Sequence, residues 1–214
     1  MLGISGSDQS DHLSSVAPYW RVALQHDFGP HYVEVGTYGM YADRYPDNVR
    51  GYGSDNFLDY ALDASYQFTT KDGKHNISAY VSALRENQNL GATFASGGSA
   101  NPTDNLTNLR ANVSYYYNNT YGLTFGPFST TGSADSILYA NPTTNKPDTT
   151  GWTIQGDYTP FGTPGSFGYP DINIRLFIQY TAYEKFNGLS SNYDGTGRSA
   201  SDNNMLFTGM WFAF

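Results

Sequence analysis

The sequence predicts an all-β fold, an antiparallel transmembrane β-barrel. Three observations carry that prediction: apolar and polar residues alternate with period 2 along much of the chain, the connections alternate between short and long, and the last strand ends on an aromatic residue. In residues 204–214, Leu206, Thr208, Met210, Phe212 and Phe214 fall on one side of an extended chain that stops at Phe214. A final strand of this kind is the closing strand of a bacterial outer-membrane barrel. Every backbone polar group inside a bilayer must pair with a neighbouring strand, so such a sheet closes on itself and alternates lipid-facing apolar residues with lumen-facing polar ones.

About nine strands are visible, each near the ~10 residues a tilted barrel strand needs. Residues 19–26 put Trp20, Val22 and Leu24 outward with Arg21 and Gln25 inward, and residues 32–41 put Val33, Val35 and Tyr41 outward with Glu34 inward. The cleanest alternation is 57–68: Leu58, Tyr60, Leu62, Ala64, Tyr66 and Phe68 oppose Asp59, Ala61, Asp63, Ser65 and Gln67. Residues 76–85 repeat the split, with Ile77, Ala79, Val81 and Ala83 outward and Asn76, Ser78, Tyr80 and Ser82 inward. Residues 108–117 and 151–158 follow the same rule. In 172–183, Ile172, Ile174, Leu176, Ile178 and Tyr180 oppose Asn173, Arg175, Gln179 and Thr181. Residues 121–128 are interrupted by Gly126 and Pro127; proline removes a ladder donor, so a strand end or a bulge is expected there.

The connections at 27–30, 69–74, 118–120 and 160–171 are shorter on average than those at 42–55, 86–104, 130–149 and 187–203. Outer-membrane barrels place short turns in the periplasm and long loops outside. Aromatic residues agree with that orientation: Tyr66, Phe68, Tyr115, Tyr117, Tyr121, Tyr158, Phe212 and Phe214 have outward parity at the short-turn end, a girdle where amphipathic rings meet headgroups. A sparser upper ring would use Tyr41, Leu58, Tyr60, Trp152 and Tyr180. Counting back from Phe214 makes residues 1–18 an extracellular segment, whereas single-chain bacterial barrels have an even strand number. The expectation is therefore one barrel domain over 1–214 that lacks at least one strand upstream, with 1–4 the tail of a preceding strand. The alternative is that 1–16 supplies a poor extra strand, against which its polar run DQSDH argues.

Composition narrows the function. The 214 residues are 39% hydrophobic and 16% aromatic but only 14% charged, well below the roughly 25% of soluble domains. No apolar run approaches the ~18 residues of a transmembrane helix. A net charge of -8 without a Lys/Arg cluster argues against nucleic acid. With no Cys, the chain itself has no disulfide, thiolate metal site or covalent haem attachment. Residues 1–15 show neither the basic start nor the apolar stretch of a signal peptide.

Residues 157–161 (DYTPF), 173–187 (NIRLFIQYTAYEKFN), 188–204 (GLSSNYDGTGRSASDNN) and the closing MLFTGMWFAF resemble a family of proteobacterial outer-membrane proteins. Its members are porin-type barrels, many of which carry the c-type cytochrome name because a CxxCH segment precedes the barrel. The resemblance is specific over roughly 150–214 and general elsewhere. It implies a barrel, the outer membrane and a missing N-terminal part. No CxxCH is present here, so haem would enter only through an upstream segment, together with an electron-transfer partner.

The expected lumen-lining residues are Arg21, Glu34, Asp59, Asp63, Arg110, Asp157, Arg175 and Gln179. Charges of both signs can select small polar solutes or can simply pair to fill the interior. Parity across the 160–171 turn brings Asp157 near Arg175. Asp59 and Asp63 are four residues apart on one strand, roughly 13 Å, too far for the ~5–9.5 Å of paired glycosidase carboxylates. The four His residues, His12, His26, His31 and His75, lack metal-ligand spacing, although His26 and His31 flank one tight turn. The 192–204 loop (NYDGTGRSASDNN) offers oxygen ligands without the EF-hand spacing, and turn chemistry explains them equally well. Loop aromatics Tyr45, Tyr52, Phe94, Tyr139 and Tyr193 either stack on sugars, constrict the mouth or pack on their own loops. No catalytic residue is assigned and no enzyme activity is expected.

The leading expectation is porin-like passage of small hydrophilic solutes across the bacterial outer membrane. The lipid bilayer and, through Phe214, the barrel-assembly machinery would be partners. The alternatives are a scaffold around an electron-transfer partner and a secreted, soluble β-sandwich that binds carbohydrate.

Overall fold

A computed structural model of the chain describes residues 12–139, 141, 143–169 and 171–214. They form one antiparallel sheet of ten strands. In chain order these are β1 (His12–Leu13), β2 (Tyr19–Phe28), β3 (His31–Tyr45), β4 (Asp55–Thr69), β5 (His75–Asn89), β6 (Thr103–Tyr117), β7 (Tyr121–Gly132), β8 (Thr149–Tyr158), β9 (Asn173–Lys185) and β10 (Met205–Ala213). From β2 onward each strand pairs with the next in sequence. β1 does not add a further position: His12 faces Tyr45 and Tyr19 faces Met40, so β1 and β2 run in line along one edge of β3. The strand tail expected at 1–4 lies outside the described residues.

Local chemistry sets the turns at one end of the sheet. Gly29 has φ 66° in the β2–β3 turn, and Asn118 and Asn119 both have φ 51° in the β6–β7 turn, where the Thr120 N–H donates to the Tyr117 carbonyl at 3.0 Å. Two successive residues at positive φ make the turn whose twist matches a hairpin, and asparagine tolerates it best after glycine.

The structure corrects the strand reading in two places. β7 neither ends nor bulges at Pro127. The pairing lapses for Ala111 and Asn112 opposite Pro127 and Gly126, yet Arg110 faces Phe128 on one side of the gap and Val113 faces Phe125 on the other, so the register is unbroken. Pro127 remains paired to Trp152 of β8 across its other edge. Strands β3 to β7 also run farther toward the long loops than the alternation indicates. Asn87, Asn89, Asn105 and Thr131 are polar on the face that is apolar lower down, so hydrophobic period 2 fades there while the hydrogen-bonded ladder continues.

The register sorts side chains onto two faces. Leu24, Val35, Ala64, Val81 and Ala111 form one row across β2 to β6; Val113, Phe125, Ile154, Tyr180 and Leu206 form another across β6 to β10. These rows belong to an apolar face with no protein layer over it: Leu24 is 79% exposed, Leu62 66% and Met210 68%. The buried apolar residues are few and mostly small, Ala61, Leu90, Ala92, Ala182, Tyr193 and Ala200, whereas Asp55, Asp63, Asp104, Asp135 and Asp157 are buried. The polarity is inverted relative to a water-soluble domain.

The sheet is open among the described residues, and the expected closure into a barrel is not seen: β2 and β10 each pair on one edge only. Neighbours alternate in direction and an odd number of strands lies between β2 and β10, so these two strands point the same way. Joining them directly would make a parallel seam in an otherwise antiparallel sheet.

Candidate functional site

The register puts Arg21, Glu34, Asp59, Asp63, Arg110, Asp157, Arg175 and Gln179 on one face, opposite the apolar one. They do not form a single constellation. The contacts divide them into two nests, an acidic patch and an isolated cation.

The first nest centres on Arg21 of β2. Its Nη1 donates to Asp63 Oδ2 at 2.5 Å and its Nη2 to Glu34 Oε1 at 2.6 Å. Tyr32 Oη donates to Glu34 Oε2 at 2.8 Å, and the guanidinium lies 5.8 Å from the Tyr38 ring centroid. Gly36 makes the nest possible, because a Cβ there would collide with Asp63 Oδ1. The second nest has the same parts. Arg175 Nε donates to Asp157 Oδ1 at 2.7 Å and Nη2 approaches the same oxygen at 2.6 Å, the contact expected from hairpin parity. Gln155 Nε2 reaches both Asp157 oxygens at 3.0 and 3.1 Å, and Tyr116 Oη donates to Oδ2 at 3.4 Å. Gly122, directly opposite Tyr116, leaves room for that ring. Charge-assisted bonds of this geometry fix side chains that would otherwise sweep the face.

The acidic patch lies nearer the long loops. Asp59 faces Glu86 across the β4–β5 ladder, and Gln88 faces Asp104 across the β5–β6 ladder. Gln88 Nε2 donates to Glu86 Oε1 at 2.5 Å and Asn101 Nδ2 donates to Asp104 Oδ1 at 2.9 Å, while Asp59 Oδ1, Gln88 Oε1 and Asp104 Oδ2 are buried without a hydrogen-bond partner. Like charges directly opposite each other repel, and this is the acidic end of the face. No group of three His, Cys, Asp or Glu side chains is placed to hold a metal ion among the described residues. Glu86, Gln88 and Asp104 escape the sequence reading because period 2 in hydrophobicity ends before them. Gln179 is a minor member, donating to Thr181 Oγ1 at 3.4 Å. Arg110 is exposed and forms no ion pair among the described residues.

On the apolar face, Tyr66, Phe68, Tyr115, Tyr117, Tyr121, Tyr158 and Phe212 gather at the hairpin end, with Phe214 just beyond β10. Histidines join them. His26 and His31 do not meet, since Phe28 stacks between them at 5.9 and 5.4 Å. His31 Nδ1 lies 2.9 Å from Tyr66 Oη and His75 Nδ1 lies 2.7 Å from Tyr115 Oη. Tyr121 stacks on Tyr158 at 5.4 Å and Phe212 lies 5.5 Å from Phe214.

The opposite end holds side chains that the sequence does not single out. Asp55, fully buried, accepts from the Ala92 and Thr93 N–H groups at 2.9 and 3.0 Å and so ties the 90–102 loop to β4. Asp135, 1% exposed, accepts from the N–H groups of Ala100, Asn101, Ile137 and Leu138 at 2.8 to 3.0 Å. Burial alone would raise its pKa; those four N–H groups outweigh it and hold the carboxyl below its ordinary value. The acids of 192–204 serve their own turns, Asp194 accepting from Thr196 and Arg198, and Asp202 from Ser199. Tyr193 is buried against Phe186 at 5.0 Å, while Tyr52 and Phe94 are exposed.

Comparison with protein-family models, curated proteins and solved structures finds no match to the chain.

Proposed function

We propose that this chain forms wall of a transmembrane β-barrel of the bacterial outer-membrane type, and that its polar face lines a water-filled path for small hydrophilic solutes. One observation carries the reading: an uncovered apolar face runs from β2 to β10 while the buried charges lie on the other side or in the loops. Exposing a large apolar side chain to water costs about 1.5–3 kcal/mol each, so a face of this extent requires lipid or a second sheet. The described strands belong to one sheet, which disfavours the soluble sandwich. The height is suitable too. From Leu58 to Phe68 the apolar face of β4 spans ten steps, roughly 33 Å along the strand, or about 24 Å at a ~40–45° tilt, close to the ~25 Å apolar band of outer-membrane barrels.

Spin labels test this directly, and a chain without native Cys takes single cysteines cleanly. With the full-length protein in lipid vesicles, a label at Leu62 should meet lipid-dissolved oxygen and one at Asp63 should meet an aqueous quencher. Equal aqueous access at both would refute the reading. Planar-bilayer conductance then tests the path itself.

A scaffold around a partner is the second reading, and one feature favours it. On β9 and β10 the otherwise polar face carries Phe177, Met205, Phe207 and Trp211, with Phe177 and Phe207 at 5.6 Å and Trp211 63% exposed. A purely solvated wall does not need that stripe; silent bilayers would move this reading ahead.

A further inference from the structure

We infer that a hollow on the polar face beside Arg110 is a binding subsite for a small carboxylate with a flat apolar body, a benzoate-like solute. The inference rests on the proposed solute path and names the class of solute that one station on it would retain.

The hollow encloses about 350 Å³ and is lined by Arg110, Asn112, Phe128, Thr153, Thr181 and Tyr183 together with Gly126 and Met205. That volume falls within the ~300–1,000 Å³ of small-molecule sites. Its origin is local: Gly126 lines it without a side chain, and the β6–β7 pairing lapses at Pro127. Arg110 is the only charged residue of the lining.

The charges elsewhere on the face make this cation distinctive. Arg21 is shared by Glu34 and Asp63, and Arg175 is held by Asp157. Asp59, Glu86 and Asp104 add acidic side chains toward the long loops. Acidic stretches of the face disfavour an anion, so a carboxylate is best held where a guanidinium keeps its donors free. The planar fork of arginine matches a carboxylate with two parallel hydrogen bonds.

The rest of the hollow selects the body of the solute. Phe128 and Tyr183 meet edge to face at 5.7 Å and 74°, which gives a ring surface on which a flat apolar group can lie. Thr153 Oγ1 already donates to the Gly126 carbonyl at 3.2 Å, so its oxygen is left as an acceptor. Asn112 and Thr181 add polar groups at the rim. A neutral sugar accepts from the guanidinium only without charge assistance; carboxylate and ring together use both halves.

The test measures 4-fluorobenzoate binding to the full-length protein in detergent by fluorine NMR, with sodium chloride conductance in planar bilayers run in parallel. Replacement of Arg110 by glutamine should weaken binding by about tenfold or more, and the lysine variant, which keeps charge but not the fork, should fall between. Arg198→Gln, on a loop, should bind as wild type. On the unmodified protein, neutral 4-fluorobenzyl alcohol should bind at least about tenfold more weakly than the acid, a comparison that needs no variant to fold. Equal binding of acid and alcohol, or undiminished binding by Arg110→Gln, overturns the subsite. If current flows in that case, the path survives without it. Absence of current from a properly inserted protein overturns the path and the subsite with it.

Discussion

The hairpin end and the long-loop end of this sheet are held together by different chemistry. At the hairpin end, turns of two, five and three residues, the longer 159–172 connection and a row of aromatic and histidine rings complete strands whose two faces differ. At the loop end of β3 to β7 both faces carry polar residues, the strands run on regardless, and buried aspartates clamp the loops: Asp55 holds Ala92 and Thr93, and Asp135 joins 100–101 to 137–138. One end carries stacked rings on an uncovered apolar face, the other is held by hydrogen bonds inside the protein. Changes at the two ends should therefore fail in different assays.

The largest effect is expected on the apolar face. Leu62→Arg should lower the stability of protein refolded in lipid vesicles by about 2–4 kcal/mol, the range for a cation near the bilayer midplane. Ser65→Arg, on the polar face of the same strand, should cost less than about 1 kcal/mol. Urea midpoints in vesicles compare the two, and equal midpoints would remove the distinction between the faces.

Next comes the loop clamp. Asp135→Ala strands four N–H groups and should destabilise the loop by about 3 kcal/mol, read as faster thermolysin cleavage beside Ile137 and Leu138 with no change in the urea midpoint of the sheet. Acid should act the same way. Because the folded pKa of Asp135 lies below its unfolded value, its contribution is complete above about pH 4 and is lost as pH falls through the lowered folded value. Hydrogen exchange at Ala100, Asn101, Ile137 and Leu138 should accelerate, relative to intrinsic rates, only below about pH 4; acceleration already at pH 6 would mean another group controls the clamp.

Arg175→Gln comes third. It removes the cation from an Asp157 side chain that is 1% exposed, but Arg175 is itself 41% exposed, so solvent screening limits the loss to about 1–2 kcal/mol. The double change with Asp157→Asn should recover part of it, and a double-mutant cycle in urea checks this. The smallest effect belongs to Tyr115→Phe, which deletes the 2.7 Å contact to His75 and should cost about 0.5–1.5 kcal/mol in the same assay.

What could be read beforehand follows the same division. Alternation is legible wherever one face is apolar, which is why residues 57–68 stand out and why Asp157 could be matched with Arg175. It vanishes at Asn87, Asn105 and Thr131, where strands are held by backbone pairing alone, and Glu86 and Asp104 consequently look like loop residues. Pro127 misleads in the opposite direction: its missing donor opens the ladder on one edge while the β8 edge keeps the strand in place. Asp55 carries no local signal, because the Ala92 N–H it binds lies 37 residues away, and Asp135 reads locally as no more than the turn it makes with Ile137 and Leu138, since Ala100 lies 35 residues away. The aromatic stripe on β9 and β10 is not legible because Phe177, Phe207 and Trp211 fall on the inner parity, where alternation alone predicts polar residues.

The missing side chain at Gly36 has a reach far beyond its own strand. One hydrogen atom in place of a methyl group admits the Asp63 carboxylate, and through it Arg21 and Glu34. Positions 21, 34, 36 and 63 thereby act together: a methyl group at 36 would push the Asp63 carboxylate and the Arg21 guanidinium aside, so the consequence of that change falls on the ion pairs rather than on position 36 itself.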